Sequence, residues 1–143
     1  MNLFFDTSSL FKLYHREEGT ADILKFFEQN SIKQIFVASI TQVEFASAIW
    51  KKVRKGELEV HLAQNVISNF EKDRVKFNTV KDDEVIKLKA KNLLSKYWNE
   101  GLRTLDALQL ASLIDCKLTI DVFFTSDKVL SNIAESEGIS IFK

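Results

Sequence analysis

The stretch Leu3-Phe4-Phe5-Asp6-Thr7-Ser8-Ser9-Leu10-Phe11-Lys12-Leu13-Tyr14 decides the reading of the fold. Three consecutive apolar residues, Leu3 to Phe5, have the profile of a strand buried on both faces, as in a parallel sheet. Asp6-Thr7-Ser8-Ser9 then offers residues that cap helices, and Leu10, Phe11, Leu13 and Tyr14 follow at helical spacing. The same order of strand, polar cap and helix recurs outward along the chain. Ile35-Phe36-Val37-Ala38 reads as a second buried strand, and Ser39-Ile40-Thr41-Gln42 fits a capping box for a helix that runs to about Lys55 and stops at Gly56. Val122-Phe123-Phe124-Thr125 is a third strand, followed by a helix over Lys128 to Glu137 and a final strand, Ile139-Ser140-Ile141-Phe142. Val75-Lys76-Phe77 is a shorter strand candidate. Further helices are expected from Gly19-Thr20 onward, over Leu58 to Phe70, over Asp82 to Tyr97 and over Leu102 to Leu118. Strands alternating with helices argue an α/β protein: a three-layer α/β/α sandwich around a mostly parallel sheet.

Length and composition narrow the class. A chain of 143 residues is expected to be one domain, 1–143, long enough to bury roughly 68–70% of its unfolded surface. Hydrophobic residues at 45% and charged residues at 28% exclude a disordered chain. Lys+Arg and Asp+Glu are both 20, a formal net charge of zero, so bulk charge gives no argument for a nucleic-acid binder, although a local basic patch stays open. The one cysteine, Cys116, excludes an internal disulfide framework and a Cys-rich zinc site. The N-terminus lacks the basic and apolar regions of a signal peptide, and no stretch approaches the roughly 18 apolar residues of a membrane span. The expected location is therefore cytoplasmic, with no membrane partner.

Four carboxylates stand out. In an open parallel sheet, ligands bind beyond the carboxyl ends of the strands. Asp6 follows the first strand directly and Asp127 lies just past the third, Val122-Phe123-Phe124-Thr125; each also reads as a helix N-cap. Glu44 has Ile40, Thr41, Ser47 and Ala48 as helix-face neighbours, a setting in which a buried carboxylate needs a partner; otherwise Thr41, Glu44 and Ser47 form a solvent-facing stripe. Arg103, Asp106 and Gln109 make a narrow polar stripe on a helix that is apolar nearly all round, and such a helix is buried. Asp106 is then either a carboxylate near the positive end of the helix dipole or half of an ion pair with Arg103. Clustered acids without His or Cys ligands are hard oxygen donors, suited to Mg²⁺ or Mn²⁺. Such ions activate water and clamp the oxygens of a phosphodiester. The sequence has no GxSxG elbow, P-loop, GxGxxG or HExxH, and His15 and His61 fall on unrelated helices.

At these residues the sequence resembles the PIN-domain ribonucleases, particularly the small VapC-like toxins of toxin–antitoxin pairs. The opening Phe4-Phe5-Asp6-Thr7-Ser8-Ser9, the segment Val43-Glu44-Phe45-Ala46, the segment Leu102-Arg103-Thr104-Leu105-Asp106-Ala107 and the run Phe123-Phe124-Thr125-Ser126-Asp127 look like the family's four acid-bearing motifs in order. The resemblance implies a five-stranded parallel sheet, a Mg²⁺ or Mn²⁺ cofactor, endonucleolytic cleavage of an RNA substrate and a cognate antitoxin that occludes the site; a homodimer is a further assembly to consider. Gln109 stands where many relatives have His, and it is given no acid role. Asp6, Glu44, Asp106 and Asp127 are the expected catalytic set. Asp6 and Asp106 would ligate metal directly, Asp127 directly or through water, and Glu44 would hold a water or act as base. Ser8 and Thr125 are candidates to orient carboxylates or waters, or else caps. Lys12, Lys51, Lys52, Lys55 and Arg103 are candidate RNA contacts. Two other readings remain: a catalytically inactive PIN-fold binding module, and a nuclease or phosphatase with a substrate other than RNA.

Overall fold

Leu3, Phe4 and Phe5 are shielded completely from solvent, and the rest of the molecule is arranged around them. The computed structural model describes all residues, 1–143. The run Asn2–Phe5 forms β1, followed by α1 (Thr7–Phe11), α2 (Thr20–Gln29), β2 (Gln34–Ala38), α3 (Thr41–Arg54), α4 (Val60–Asp73), β3 (Asn78–Val80), α5 (Glu84–Lys96), α6 (Thr104–Asp115), β4 (Val122–Phe124) and α7 (Lys128–Ser136). The four strands lie in the order β3-β2-β1-β4 and pair in parallel throughout.

Alternation along β1 divides the core. Phe4 points to one face with Phe123, under α5, α6 and α7, where Ile86, Leu93, Leu110, Leu113 and Leu130 are buried. Leu3 and Phe5 point to the other face with Val37 and Phe124, under α1 to α4, where Leu10, Ile23, Phe45, Ile49 and Phe70 are buried. The sandwich therefore has three layers. Stacked rings bind the second face: Phe45 lies on Phe70 with centroids 4.0 Å apart, and Phe124 lies between Phe5 and Phe142 at 4.4 Å from each. No helix is long and apolar enough to cross a membrane.

The strand order sets where a ligand can enter. From β1 the chain proceeds to β2 on one side, while β4 pairs on the other. The order reverses between β1 and β4, and a crevice opens beyond the carboxyl ends of strands at such a switch point. Asp6 and Asp127 follow those two strands.

Three expected elements differ. The final strand, Ile139 to Phe142, is reduced to a bridge between Ile141 and Phe123, so the sheet has four strands rather than five. In a parallel ladder alternate residues bond to opposite neighbours. With β4 only three residues long, Phe123 alone serves the outer edge, its N–H donating to Ser140 O and its carbonyl accepting from Phe142 N. Second, Val75 is highly exposed and Arg74–Lys76 is a 3₁₀ turn; the edge strand begins three residues later, as the half-exposed Asn78-Thr79-Val80. Third, the Ser39–Gln42 capping box does not form. Helix α3 starts at Thr41 with Ile40 already helical and no side-chain cap, because Ser39 is held in the sheet, its N–H donating to Val80 O.

Phe124→Ala is expected to destabilise the fold by about 3–5 kcal/mol, the range for a fully buried aromatic. Val75→Ala, at an exposed position, should stay within about 0.5 kcal/mol. Urea denaturation of both variants at unchanged slope checks this.

Candidate active site

Asp6 is the first residue past β1, with its N–H bonded to Phe124 O at 3.0 Å. Its side chain is 3% exposed. A carboxylate there survives only with donors around it, and three donors make four hydrogen bonds to this one. Ser9 N donates to Oδ1 at 2.7 Å, which caps α1. The Ser8 hydroxyl donates to Oδ1 and Oδ2 at 2.9 and 3.0 Å, and Thr125 Oγ1 donates to Oδ2. Burial still dominates and holds the carboxyl above the ordinary aspartate value, against the pull of Thr125, Ser9 and Ser8.

Asp127 caps α7. Its Oδ1 accepts from Val129 N at 2.7 Å and Leu130 N at 3.0 Å, while Oδ2 has no protein partner. The Thr125 hydroxyl accepts from Asp127 N at 3.1 Å and donates to Asp6, so one hydroxyl ties the two strand ends together. The cap readings of Asp6 and Asp127 are thus correct as far as they go: each acid caps a helix and also faces the switch-point crevice.

Glu44 enters from the first turn of α3. Its Oε1 accepts from Gln109 Nε2 at 2.7 Å and from Thr7 Oγ1 at 3.0 Å. The stripe Thr41, Glu44, Ser47 therefore does not face solvent as a unit: Thr41 is buried, Glu44 half-buried and Ser47 exposed. Burial raises the Glu44 pKa. The hydrogen bonds from Gln109 and Thr7 oppose that rise, and the charges of Asp106 and Asp6 add to it. Asp106 lies in the first turn of α6. Its cation, Arg103, is 3.7 Å away with a side chain 85% exposed, a geometry worth little as an ion pair. Burial first, then the Asp127 charge, raises the Asp106 pKa, with Arg103 opposing.

These four carboxylates come from four separate segments and line one cleft of about 100 Å³, together with Thr7, Ser8 and Gln109. Larger clefts, of about 310 to 530 Å³, each contain a single acidic side chain. No three His, Cys, Asp or Glu side chains close on one point. The donor set is all oxygen, and its spread suits an ion that keeps several waters and takes one or two carboxylates directly, as Mg²⁺ does. A fully dehydrated all-protein shell does not fit.

Gln109 was visible in the sequence as the third member of the Arg103, Asp106, Gln109 stripe, but nothing there assigned it work. It is 3% exposed. Besides Glu44, its Nε2 lies 3.0 Å from both Thr7 Oγ1 and Thr41 Oγ1, while its Oε1 is buried without a donor. An ionised Glu44 accepts only, so it dictates this orientation of the amide. Thr7 and Thr41 were equally hidden, since hydroxyls beside a helix start read first as caps.

The basic candidates separate. Lys52 is half-buried between Glu17 and Glu57, at 3.3 and 3.7 Å, with its ammonium over the Phe11 ring. Lys51 is exposed and borders a cleft with Glu44 and Leu105. Lys55 and Arg103 are exposed, and Lys12 donates to Ser126 Oγ at 2.7 Å.

The family model of the PIN domain matches residues 3–136. The chain belongs to the PIN domain family. Solved structures of this fold are similar over nearly the whole length. VapC20 of Mycobacterium tuberculosis, described as a sarcin–ricin loop cleaving toxin, superposes with a TM-score of 0.68 at 13% identity over 92% of this chain and 94% of that one. VapBC2 of Rickettsia felis, bound to a DNA fragment from its promoter, gives 0.65 at 12% identity over 99% and 98%. A Klebsiella pneumoniae toxin–antitoxin complex gives 0.63 at 17% identity over 99% and 96%. At these identities the likeness is one of fold. No curated protein sequence matches the chain at a significant level.

The raised carboxyls carry a stability signature. A folded pKa above the unfolded one contributes stability that is fully present below the unfolded pKa and is lost as pH rises through the folded pKa. Asp106 therefore works against the metal-free PIN fold at neutral pH. Asp106→Asn, with only an exposed arginine to lose, is expected to raise Tm in EDTA at pH 7 and flatten the decline of stability between about pH 4 and 7. Asp6→Asn is expected to act in the opposite sense at pH 7. It replaces an acceptor that serves Ser9, Ser8 and Thr125, at about 0.5–2 kcal/mol for the damaged cap. Thermal melts across that pH range check both signs.

Proposed function

We propose that this PIN domain is a metal-dependent endoribonuclease, the toxin component of a VapBC-type toxin–antitoxin pair. The observation that carries the reading is the convergence of Asp6, Glu44, Asp106 and Asp127 in one cleft at the switch point of the sheet. The description of VapC20 as an RNA-loop cleaving toxin, and the toxin–antitoxin complexes sharing the fold, support it. Asp6, Asp106 and Asp127 would hold Mg²⁺ or Mn²⁺. A bound divalent ion supplies activation of a water and neutralisation of charge on the phosphodiester.

The remaining work falls to side chains. Glu44 uses Oε1 to accept from Gln109 and Thr7, which leaves Oε2 to take the proton of the attacking water. Its raised pKa brings it nearer the range in which a carboxylate acts as base at working pH. Gln109 fixes that carboxylate from behind, replacing a mobile side chain with an aimed one. Ser8 is exposed and donates to both Asp6 oxygens, so a turn of its hydroxyl frees a lone pair of an otherwise fully engaged carboxylate. Thr125 keeps Asp6 and Asp127 in register with each other. A cognate antitoxin is the protein partner this reading requires, covering the cleft until RNA cleavage is released; the cytoplasm is the corresponding compartment.

Purified protein should cleave structured RNA with Mg²⁺ or Mn²⁺ and stop with EDTA. Asp106→Asn should lower the rate by at least about 100-fold, since even residues behind metal ligands are worth 10–100-fold. Undiminished cleavage in excess EDTA, or by Asp106→Asn, would overturn the reading.

A further inference from the structure

Beside the acid cleft, on the far side of Thr125, lies a second and wider groove of about 420 Å³. It runs between the end of α1, the face of α2 and the loop from β4 to α7. Thr125, Ser126, Lys12 and Lys25 line it, with Asp22 as its acidic side chain and Phe142 in its apolar wall. Three consecutive residues, spaced about 3.8 Å apart along the chain, join the two depressions. Thr125 donates to Asp6, Ser126 receives Lys12, and Asp127 lines the acid cleft.

Lys12 is placed here rather than left to wander. Its Nζ donates to Ser126 Oγ at 2.7 Å, a contact across 114 residues of sequence, and its ammonium has that hydroxyl and no carboxylate as partner. Its backbone carbonyl accepts from Thr20 Oγ1 at 3.1 Å, which fixes the end of α1 against the start of α2. Its side chain passes over Gly19, where a Cβ would come within 2.9 Å of Nζ. Gly19 has φ +86°, a backbone conformation that calls for glycine at that position.

Several other lysines are instead paired with carboxylates. Lys52 lies between two glutamates, Lys89 is on Asp115 and Lys143 on Glu135. An ammonium has three donors. Lys12 gives one to Ser126 and keeps two, and Ser126, accepting from Lys12, has its own hydroxyl proton to donate. A fixed ammonium beside a hydroxyl, with Lys25 further along the groove, offers the donors that phosphate oxygens accept from.

We propose that Lys12 and Ser126 form a phosphate subsite that holds the RNA strand one step along from the bond presented to the acid cleft. This rests on the nuclease reading. It also moves the path of the strand away from the α3 lysines, one of which, Lys52, lies between two glutamates. The cation offsets the repulsion between a polyanion and four carboxylates, and it orients the strand across the switch point. Since it touches a phosphate distant from the reacting bond, its contribution is to binding in ground and transition states alike, and it appears in KM.

The test is steady-state cleavage of a labelled structured RNA with a single-stranded loop, in Mn²⁺, across a series of KCl concentrations. The proteins are wild type, Lys12→Gln, Lys12→Arg, Ser126→Ala and, as a surface-charge control on α5, Lys91→Gln. Lys12→Gln is expected to raise KM about tenfold with kcat within about twofold, the effect of losing one charge-assisted contact. It should also reduce the log–log salt slope of kcat/KM by about 0.7, one phosphate contact on a single strand. Lys12→Arg should restore the slope. Ser126→Ala should raise KM by a smaller factor and leave the slope intact, because the charge remains; it keeps the test decisive should Lys12→Gln perturb folding. Lys91→Gln should match wild type. If wild type cleaves RNA and Lys12→Gln shows the same KM and slope, the subsite is wrong and the nuclease reading stands. If wild type shows no metal-dependent RNA cleavage, both fall.

Discussion

A carboxylate almost sealed from solvent sits where the central strand ends, and much of the surrounding structure is explained by what that arrangement demands. An ionised group in such a place is expensive unless donors enclose it. Asp6 draws its donors from the start of α1, through Ser8 and Ser9, and from the loop after β4, through Thr125. Those hydrogen bonds do two things at once. They make the strand end a helix cap, and they fasten the two strands that flank the switch point. The flanking acids then feel one another. Asp127 acts on Asp106, and Asp106 and Asp6 act on Glu44, so the pocket holds repulsion among its own carboxylates. A fold that concentrates like charge at one edge gives up stability there.

The network behind Glu44 shows how little room such a site has for error. Thr7, Thr41 and Gln109 come from three different helices, yet their polar atoms meet within hydrogen-bond distance in a buried layer. Their positions follow from apolar packing around them. Leu10 and Phe11 seat α1, Phe45 and Ile49 seat α3, and Ala107, Leu110 and Ala111 let α6 press against the sheet. The small residues on α6 allow the close approach that carries both Asp106 and Gln109 to the crevice. Packing thus positions the polar atoms, and the polar atoms in turn restrict which packing is acceptable.

Much of this was legible in the sequence, for identifiable reasons. The runs Leu3-Phe4-Phe5 and Phe123-Phe124 are apolar at consecutive positions, as in a strand buried on both faces, with Asp6 directly after the first and Asp127 three positions after the second. The helices announced themselves by period and by Gly56 and Gly138 beyond their ends. What stayed hidden depends on tertiary pairing. Ile139 to Phe142 has the composition of a strand, but β4 is too short to offer it more than Phe123. Ser39 and Gln42 have the residues of a capping box, but Ser39 is drawn into the sheet by Val80. Lys52 looks like any helix-end lysine until Glu17 and Glu57 arrive beside it. The role of Gln109 depends on three acceptors far away in sequence, and no local pattern encodes that.

The proposed function requires these four acids to form one metal-binding pocket. The most direct measurement is paramagnetic broadening of backbone amide signals as substoichiometric Mn²⁺ is added to the isotopically labelled protein. Loss of signal should centre on residues 6–8, 44, 106 and 127, and it should be displaced by excess Mg²⁺. Broadening centred instead on an exposed acidic run such as Asp82-Asp83-Glu84, with the residues around Asp6 and Asp106 untouched, would contradict it.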